Sequence, residues 1–177
     1  KVADSIWLGT DRDGAFVIQN NRSLTAIAPQ VTISGPVYDI LQVTADEVWL
    51  AGFAGITRVN AIDKRIIGRF QHDISNPFSL GHQDIRTLLQ DNAGKIWLGG
   101  YGVGLQRYDG QPGVSTLRHS LIDESSISSG NISSILQLAN GQIWLGSRGD
   151  GIDVIAPDSG IVAQHKPDND IAGKLQH

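Results

Sequence analysis

Apolar and polar residues alternate over short runs along the whole chain. Runs such as "VYDILQ" at Val37–Gln42 and "IRTLLQ" at Ile85–Gln90 are bounded by Gly, Asn, Asp and Ser. Alternation over strand-length runs between turn-forming residues is typical of β-strands, and no segment shows a sustained 3.6-residue apolar period. The pattern therefore predicts an all-β chain.

The same short motif recurs four times along the sequence. It reads "IWLGT", "VWLAG", "IWLGG" and "IWLGS", and successive tryptophans are 42, 48 and 47 residues apart. A period of about 40–50 residues is that of the four-stranded blades of a β-propeller. The tryptophans of the four copies are Trp7, Trp49, Trp97 and Trp144.

Each copy predicts four antiparallel strands, which we call A to D. Strand A ends on a glutamine seven residues before the tryptophan of strand B, and two further apolar runs follow as strands C and D. We therefore expect a β-propeller segment over residues 1–177 with about four four-stranded antiparallel blades. The predicted blade repeats are about 1–30, 37–81, 85–128 and 132–165, with 171–177 as strand A of a further or ring-closing blade.

The ring can close in more than one way. The sequence starts at a strand B and ends at a strand A, and joining the two ends would place Gln176 eight residues before Trp7. A closed ring of four blades is one interpretation. We favour a partial ring, a fragment of a larger propeller; pairing of two copies is a third interpretation, because open blade edges favour strand addition.

The stretch "HDISNPFSLGHQDIRTLLQDNAGKIWLGGYGVGLQRYD" at His72–Asp109 resembles the two-component regulator propeller repeat. The resemblance extends over essentially the whole chain in three to four copies, with Ala51 standing where the family usually has glycine. It implies a periplasmic propeller in a bacterial membrane sensor, followed in the complete protein by a membrane helix and a histidine kinase or diguanylate cyclase. It implies no catalytic residues in this segment.

The amino-acid composition argues against several classes of function. The formal net charge is −4 and the 14 Lys and Arg residues are scattered, which argues against nucleic-acid binding and against a polybasic membrane segment. The chain has no cysteine, so disulfides, thiolate metal sites and cysteine nucleophiles are excluded. No apolar run is long enough to span a bilayer. We expect no cofactor and no metal site.

Three motifs have a chemical interpretation beside a structural one. The glycines of "GGYGVG" at Gly99–Gly104 precede a strand and not a helix, which favours a turn over a phosphate-binding loop. "TDRDGAF" at Thr10–Phe16 lacks the later glutamate of a calcium loop, which again favours a turn. His72 and His119 recur at one repeat position, which favours a role in the scaffold.

We expect any ligand site on the rim that carries the B–C turns and the D–A connections. Residues that differ between repeats are informative there, since those that recur serve the scaffold. Aromatic and arginine side chains suit sugar stacking or carboxylate pairing, although solvated rim residues are the simpler interpretation. The candidates are Arg12, Phe53, Tyr101 and Arg148 in the turns, and His82, Gln83, Asp84 and Asn131 in the connections.

These observations predict a non-enzymatic, periplasmic sensor segment of a bacterial receptor. It would bind a small-molecule or carbohydrate ligand and signal to a cytoplasmic output domain, with a homodimer as one possible assembly and membrane contact only through flanking segments. One alternative is a propeller that serves as a protein-interaction scaffold. A less favoured alternative is an enzyme resembling streptogramin lyase, which would need a metal and converging His and Glu side chains.

Overall fold

The computed structural model of the chain describes residues 5–18, 24–26, 35–110, 113–157 and 160–167. Within these ranges the chain forms fifteen strands and no helix, which confirms the all-β prediction. The predicted strand at 171–177 lies outside the described residues. The strands are β1 (Ile6–Gly9), β2 (Ala15–Ile18), β3 (Leu24–Ala26), β4 (Val37–Gln42), β5 (Glu47–Gly52), β6 (Gly55–Asn60), β7 (Ile66–Phe70), β8 (Ile85–Gln90), β9 (Ile96–Gly100), β10 (Leu105–Tyr108), β11 (Ser115–Leu117), β12 (Ile132–Gln137), β13 (Ile143–Ser147), β14 (Ile152–Ala156) and β15 (Gly160–His165).

The strands form four antiparallel sheets in which sequence neighbours pair. Sheet 1 contains β1, β2 and β3; sheets 2, 3 and 4 contain β4 to β7, β8 to β11 and β12 to β15 in the order predicted for strands A to D. The first strands β4, β8 and β12 contact one another from sheet to sheet. The sheets are therefore stacked side by side around their first strands.

Apolar side chains fill the three spaces between successive sheets. Trp7 packs with Val37, Val48 and Leu50 of sheet 2, and each of these side chains is at most 8% exposed. Trp49 and Trp97 take the corresponding places against sheets 3 and 4. Each inner sheet thus buries its tryptophan on one face and the two residues beside it on the other, which is why its second strand is apolar throughout.

The residue two positions after each tryptophan has little space. A β-carbon at Gly99 would lie 2.7 Å from methyl groups of Ile132 in sheet 4 and Thr87 in β8. Glycine therefore allows the neighbouring sheet to approach closely, as its place in the motif predicts. Sheet 2 accommodates a β-carbon at this position, where Ala51 is fully buried.

The first strands of sheets 2, 3 and 4 share an irregularity. In each of them the pairing register shifts at the second residue, between Val37 and Asp39 in β4 and at the same place in the others. A bulge of this kind leaves one residue outside the ladder and redirects its side chain. The three residues at the shift are Tyr38, Arg86 and Ser133.

In sheets 2, 3 and 4, the turn after the second strand is hydrogen-bonded to a connection between sheets. Tyr101 N–H donates to the carbonyl of Asp84 at 3.0 Å, and Arg148 N–H donates to that of Asn131 at 3.2 Å. In sheet 2, Gly55 N–H donates to the carbonyl of Gln83 at 2.7 Å. The turns after β5, β9 and β13 therefore lie beside the connections between sheets, on one common rim.

Two histidines each form a hydrogen bond within a long connection between sheets. The Nδ1 of His72 lies 2.7 Å from the carbonyl oxygen of Leu80, and the Nδ1 of His119 lies 2.7 Å from that of Ile127. A carbonyl only accepts, so each ring nitrogen is the donor. These contacts support the structural interpretation of the recurring histidines.

None of the described residues belongs to a helix long and apolar enough to cross a membrane.

Candidate functional site

Four residues on the common rim are linked to one another through side-chain or backbone contacts, and we call them the rim cluster: Tyr38, Asp84, Arg86 and Tyr101. Arg86 occupies the register shift at the start of β8. Its Nη2 lies 2.8 Å from Oδ2 of Asp84 and its Nε lies 2.7 Å from Oδ1. The Nη2 contact is a hydrogen bond, and the close approach of Nε to the same carboxylate makes the pair an ion pair that orients the guanidinium group.

An aromatic ring from the preceding sheet also lies close to the guanidinium. The Cζ of Arg86 lies 4.0 Å from the ring centroid of Tyr38, which occupies the equivalent register shift in β4. Cation–π attraction at this distance favours the stacked arrangement. Arg86 is therefore held between a carboxylate from its own sheet and a ring from its neighbour.

The electrostatics keep this arginine charged. Asp84 is only 4% exposed, and its hydrogen bond to Arg86 raises the pKa of the guanidinium above its usual value. The phenols of Tyr38 and Tyr101 raise the same pKa further. One N–H donor of Arg86, on Nη2, is hydrogen-bonded to Asp84, so donors remain for a ligand.

Tyr101 stands at the edge of this group, in the turn between β9 and β10. Its backbone is tied to Asp84, whereas its side chain is 48% exposed. A β-carbon at the preceding Gly100 would lie 2.4 Å from the carbonyl oxygen of Asp84, so glycine is needed for this close approach. The tyrosine is thereby presented to solvent beside Arg86 on a fixed backbone.

Three other predicted residues serve the scaffold of the rim. His82 accepts a hydrogen bond from Asp84 N–H through Nδ1 at 3.1 Å, and Gln83 supplies the carbonyl that binds Gly55 N–H. Asn131 accepts from Gly102 N–H through Oδ1 at 2.9 Å. Asn131 therefore holds the turn that carries Tyr101 from the side of sheet 4.

The remaining predicted residues lie on the other turns of the rim. Phe53 is 53% exposed, and Arg12 and Arg148 are also exposed. Within the described ranges these three side chains make no hydrogen bond or ion pair with the rim cluster. The structure thus brings together Tyr101 and Asp84 out of the eight candidates, with Asn131 supporting the turn.

The sequence prediction does not include Tyr38 and Arg86, because it was confined to turns and connections and these two residues lie in strands. A signal was nevertheless present. The second residue of strand A differs between repeats, as Tyr38, Arg86 and Ser133, while the first, fourth and fifth residues stay aliphatic and the last is always glutamine. Residues that differ between repeats indicate a site in strand A as they do in the turns, and this position is one of them.

The chemistry available at the rim cluster is that of recognition. A fixed arginine suits a carboxylate or hydroxyl group, and an exposed tyrosine suits a ring or an apolar face. In the part of the chain that the structure describes, no three His, Cys, Asp or Glu side chains are grouped as a metal site requires. The arrangement favours reversible binding.

Comparison with solved structures identifies the architecture. The chain is similar to the extracellular domain of the hybrid two-component system BT3049 of B. thetaiotaomicron, with a TM-score of 0.72 and 19% identity over 91% of the chain. The corresponding domain of BT4673 gives a TM-score of 0.75 with 17% identity over 99% of the chain. The chain spans only 22% of the length of each of these structures.

A β-propeller of another class is also similar. The WD40 propeller domain of Doa1 matches with a TM-score of 0.63 and 17% identity, over 91% of this chain and 50% of that one. Together these likenesses confirm the predicted β-propeller, so the four sheets are blades 1 to 4. In sequence, no curated protein matches the chain significantly.

Two parts of the sequence match a known repeat. The family described as two component regulator propeller matches residues 79–102 and 126–149. Each matched segment runs from the end of a connection, through the first strand of a blade, to the turn that follows the tryptophan. Blades 3 and 4 thus each contain a segment that is similar to the two-component regulator propeller repeat.

Proposed function

We propose that the chain is a non-enzymatic sensor segment whose rim binds a small molecule or a glycan. The observation that carries the proposal is the rim cluster, in which Arg86 is fixed between Asp84 and Tyr38 beside the exposed Tyr101. Side chains that are oriented before binding lose little conformational entropy when a ligand arrives. The cluster therefore meets a basic requirement of a ligand site.

The proposal includes an extracytoplasmic location in a bacterial receptor. It is supported by the two-component regulator propeller repeats and by the neighbours described as extracellular domains of hybrid two-component systems. In such a receptor the segment lies in the periplasm, and ligand occupancy alters blade packing or subunit geometry that a cytoplasmic kinase or diguanylate cyclase reads.

Calorimetry with two related probes tests the rim cluster. D-glucuronate offers a carboxylate and a sugar ring, whereas D-glucose offers the ring alone. We expect tighter binding of glucuronate, and Tyr101→Ala to weaken it about tenfold through loss of stacking. Arg86→Lys keeps the charge but loses the planar fork, so it should weaken glucuronate more than glucose.

Ile62→Ala is the matched control for these variants. Ile62 is 73% exposed in the turn between β6 and β7, away from the rim cluster, and its loss should leave affinity unchanged. Wild-type affinity in the Tyr101→Ala and Arg86→Lys variants would remove the rim cluster from the proposal.

The receptor part of the proposal has a separate test. The complete gene that encodes this segment should also encode a membrane-spanning helix and a kinase or diguanylate cyclase domain. A complete gene with neither would refute the receptor assignment while leaving the binding measurements intact.

A protein-interaction scaffold is the second candidate function. Ile74, Leu121 and Ile122 are 96%, 94% and 97% exposed on the connections that follow blades 2 and 3. Exposed apolar side chains on neighbouring connections favour contact with another protein. Replacement of all three by serine should abolish binding to a protein partner and leave ligand binding at the rim cluster unchanged.

A further inference from the structure

A groove of about 690 Å³ opens between blades 2 and 3, on the side away from the first strands. Its walls come from the end of β7, the connection after it, and the β10–β11 region of blade 3. We infer that this groove is a second ligand site, which takes an uncharged ligand with one apolar face and a hydroxylated edge, such as one or two sugar rings. The volume falls within the roughly 300–1,000 Å³ of small-molecule sites.

The base of the groove is a pair of aromatic rings held in place from behind. The ring centroids of Phe70 and Tyr108 are 5.4 Å apart, and each lies within 5.4 Å of the ring of Trp49, which is 2% exposed. Arg58 lies 5.5 Å from the ring of Phe70 and is paired with Glu47 at 2.6 Å. The two rings therefore form a fixed apolar surface, to which a ligand adapts at low entropic cost.

A third ring forms a side wall. Phe78 is 65% exposed. A β-carbon at Gly113 would lie 2.9 Å from its Cδ1, so the ring of Phe78 in blade 2 rests directly on the backbone of blade 3. Its backbone N–H is held by Oδ1 of Asn76 at 3.0 Å. The wall is thus positioned from both blades.

Polar groups line the edge of the groove. His72 uses Nδ1 for the carbonyl of Leu80, which leaves Nε2 free, and Asn76 uses its Oδ1, which leaves its amide N–H groups free. Hydrogen bonds from Ser75 lower the pKa of Asp73, so this carboxylate stays an acceptor near neutral pH. Arg69 adds a cation at the end of β7.

The combination indicates the class of ligand. Asp73 disfavours an anion and Arg69 disfavours a cation, while the free donors and acceptors would be left unpaired by a purely apolar ligand. An uncharged ring with hydroxyl groups satisfies both the aromatic surface and the polar edge. This site is independent of the rim cluster and of the function proposed for it.

The next blade pair shows that the repeat alone does not produce the groove. The corresponding cavity beside His119 measures about 210 Å³ and has no Phe, Tyr or Trp among its lining residues. Ser125 stands there at the position of Phe78, counted from the two histidines. The aromatic groove is therefore a feature of blades 2 and 3 that blade packing does not require.

Amide-resolved NMR titration of the whole chain tests the inference. The uncharged probes are D-glucose, D-galactose and N-acetyl-D-glucosamine; the charged probes are D-glucuronate and D-glucosamine. We expect at least one uncharged sugar to shift the amides of Asn76 and Gly113. Phe78→Ala should weaken that binding about tenfold, and Phe78→Tyr should restore it.

Ile74→Ala is the matched control, because Ile74 lies on the same connection, is 96% exposed and does not line the groove. Tyr101→Ala separates this site from the rim cluster, since it should leave the shifts at Asn76 and Gly113 unchanged. Unaltered amide spectra with all three uncharged sugars would overturn the inference. Equal loss of affinity in Ile74→Ala and Phe78→Ala, or tighter binding of a charged probe in the groove, would overturn it too.

Discussion

Two of the strand-B tryptophans, Trp49 and Trp97, satisfy their indole N–H groups in different ways. A buried indole N–H usually pairs with an acceptor, although those of Trp7 and Trp144 have none among the described residues. Trp49 donates to Oε1 of Glu47 at 2.7 Å, two residues earlier on the same strand, whereas Trp97 donates to Oδ2 of Asp91 at 2.8 Å from the preceding turn. Arg58 shares the carboxylate of Glu47 at 2.6 Å, so an ion pair is added in blade 2.

Glu47 should make stability depend on pH. Its hydrogen bond with Arg58 lowers the pKa of the carboxyl below 4.5, and burial opposes the shift only partly. Its contribution is therefore complete above about pH 4.5, and is lost as pH falls through the lowered pKa. Glu47→Gln should reduce the free energy of unfolding by about 1 kcal/mol near neutral pH, and the difference from wild type should shrink in acid.

Urea unfolding across the acidic range measures this difference. Glu124→Gln is the control, because Glu124 is the other glutamate of the chain and is exposed. A constant difference between Glu47→Gln and wild type at every pH would contradict the assignment of the shift to Glu47.

Among elements, the second strand of each blade sets how closely blades approach. The position after the Trp-Leu pair faces the next sheet, and the space left there varies from blade to blade. At Gly99 the neighbouring methyl groups would meet a β-carbon at 2.7 Å, whereas blade 2 buries the β-carbon of Ala51 completely. Blades with one sequence pattern therefore pack at slightly different separations.

This difference predicts unequal losses of stability for the two reverse substitutions. Gly99→Ala should destabilise the chain by about 1–3 kcal/mol, because the added methyl overpacks a closed interface. Ala51→Gly, at the equivalent position, should cost only about 0.5–1 kcal/mol through backbone entropy and a lost methyl group. Chemical denaturation of both variants provides the comparison. A Gly99→Ala chain as stable as wild type would show that blades 3 and 4 separate freely.

At the scale of the whole molecule, the outward faces of blades 1 and 4 match each other. Ile6 and Leu8 are 50% and 38% exposed on the face of blade 1 opposite Trp7. On blade 4, Leu136 is 56% exposed and pairs with Trp144 on the face opposite the core. Inside the stack, the tryptophan face of one blade packs against the opposite face of the next blade. The exposed faces of blades 4 and 1 are of these same two kinds.

Two copies of the 177-residue chain, produced without any flanking residues, should therefore associate head to tail, with blade 4 of one against blade 1 of the other. Such a contact is heterologous, so it forms either a closed ring or a growing chain of copies. Light scattering over a concentration series should show association that Leu136→Ser weakens and Ile62→Ser does not. Equal association of wild type and the Leu136→Ser variant would exclude this pairing.

The sequence was sufficient for much of this fold and for less of the site. Recurrence of the motif around Trp7, Trp49, Trp97 and Trp144 predicted the strands, their order and the shared rim, because one spacing imposes one supersecondary unit. It was insufficient for the contact between Tyr38 and Arg86, 48 residues apart. That contact depends on a bulge in each strand and on the angle between two blades, and neither is encoded in a local pattern.

The register shift at the start of β4, β8 and β12 has a consequence for engineering. Tyr38, Arg86 and Ser133 lie outside the strand ladder, so a substitution there removes no residue pair of the ladder. Blades 2, 3 and 4 thus each offer one variable side chain at the same end of the stack. We expect the choice of side chains at these three positions to alter ligand specificity while the remainder of each blade stays unchanged.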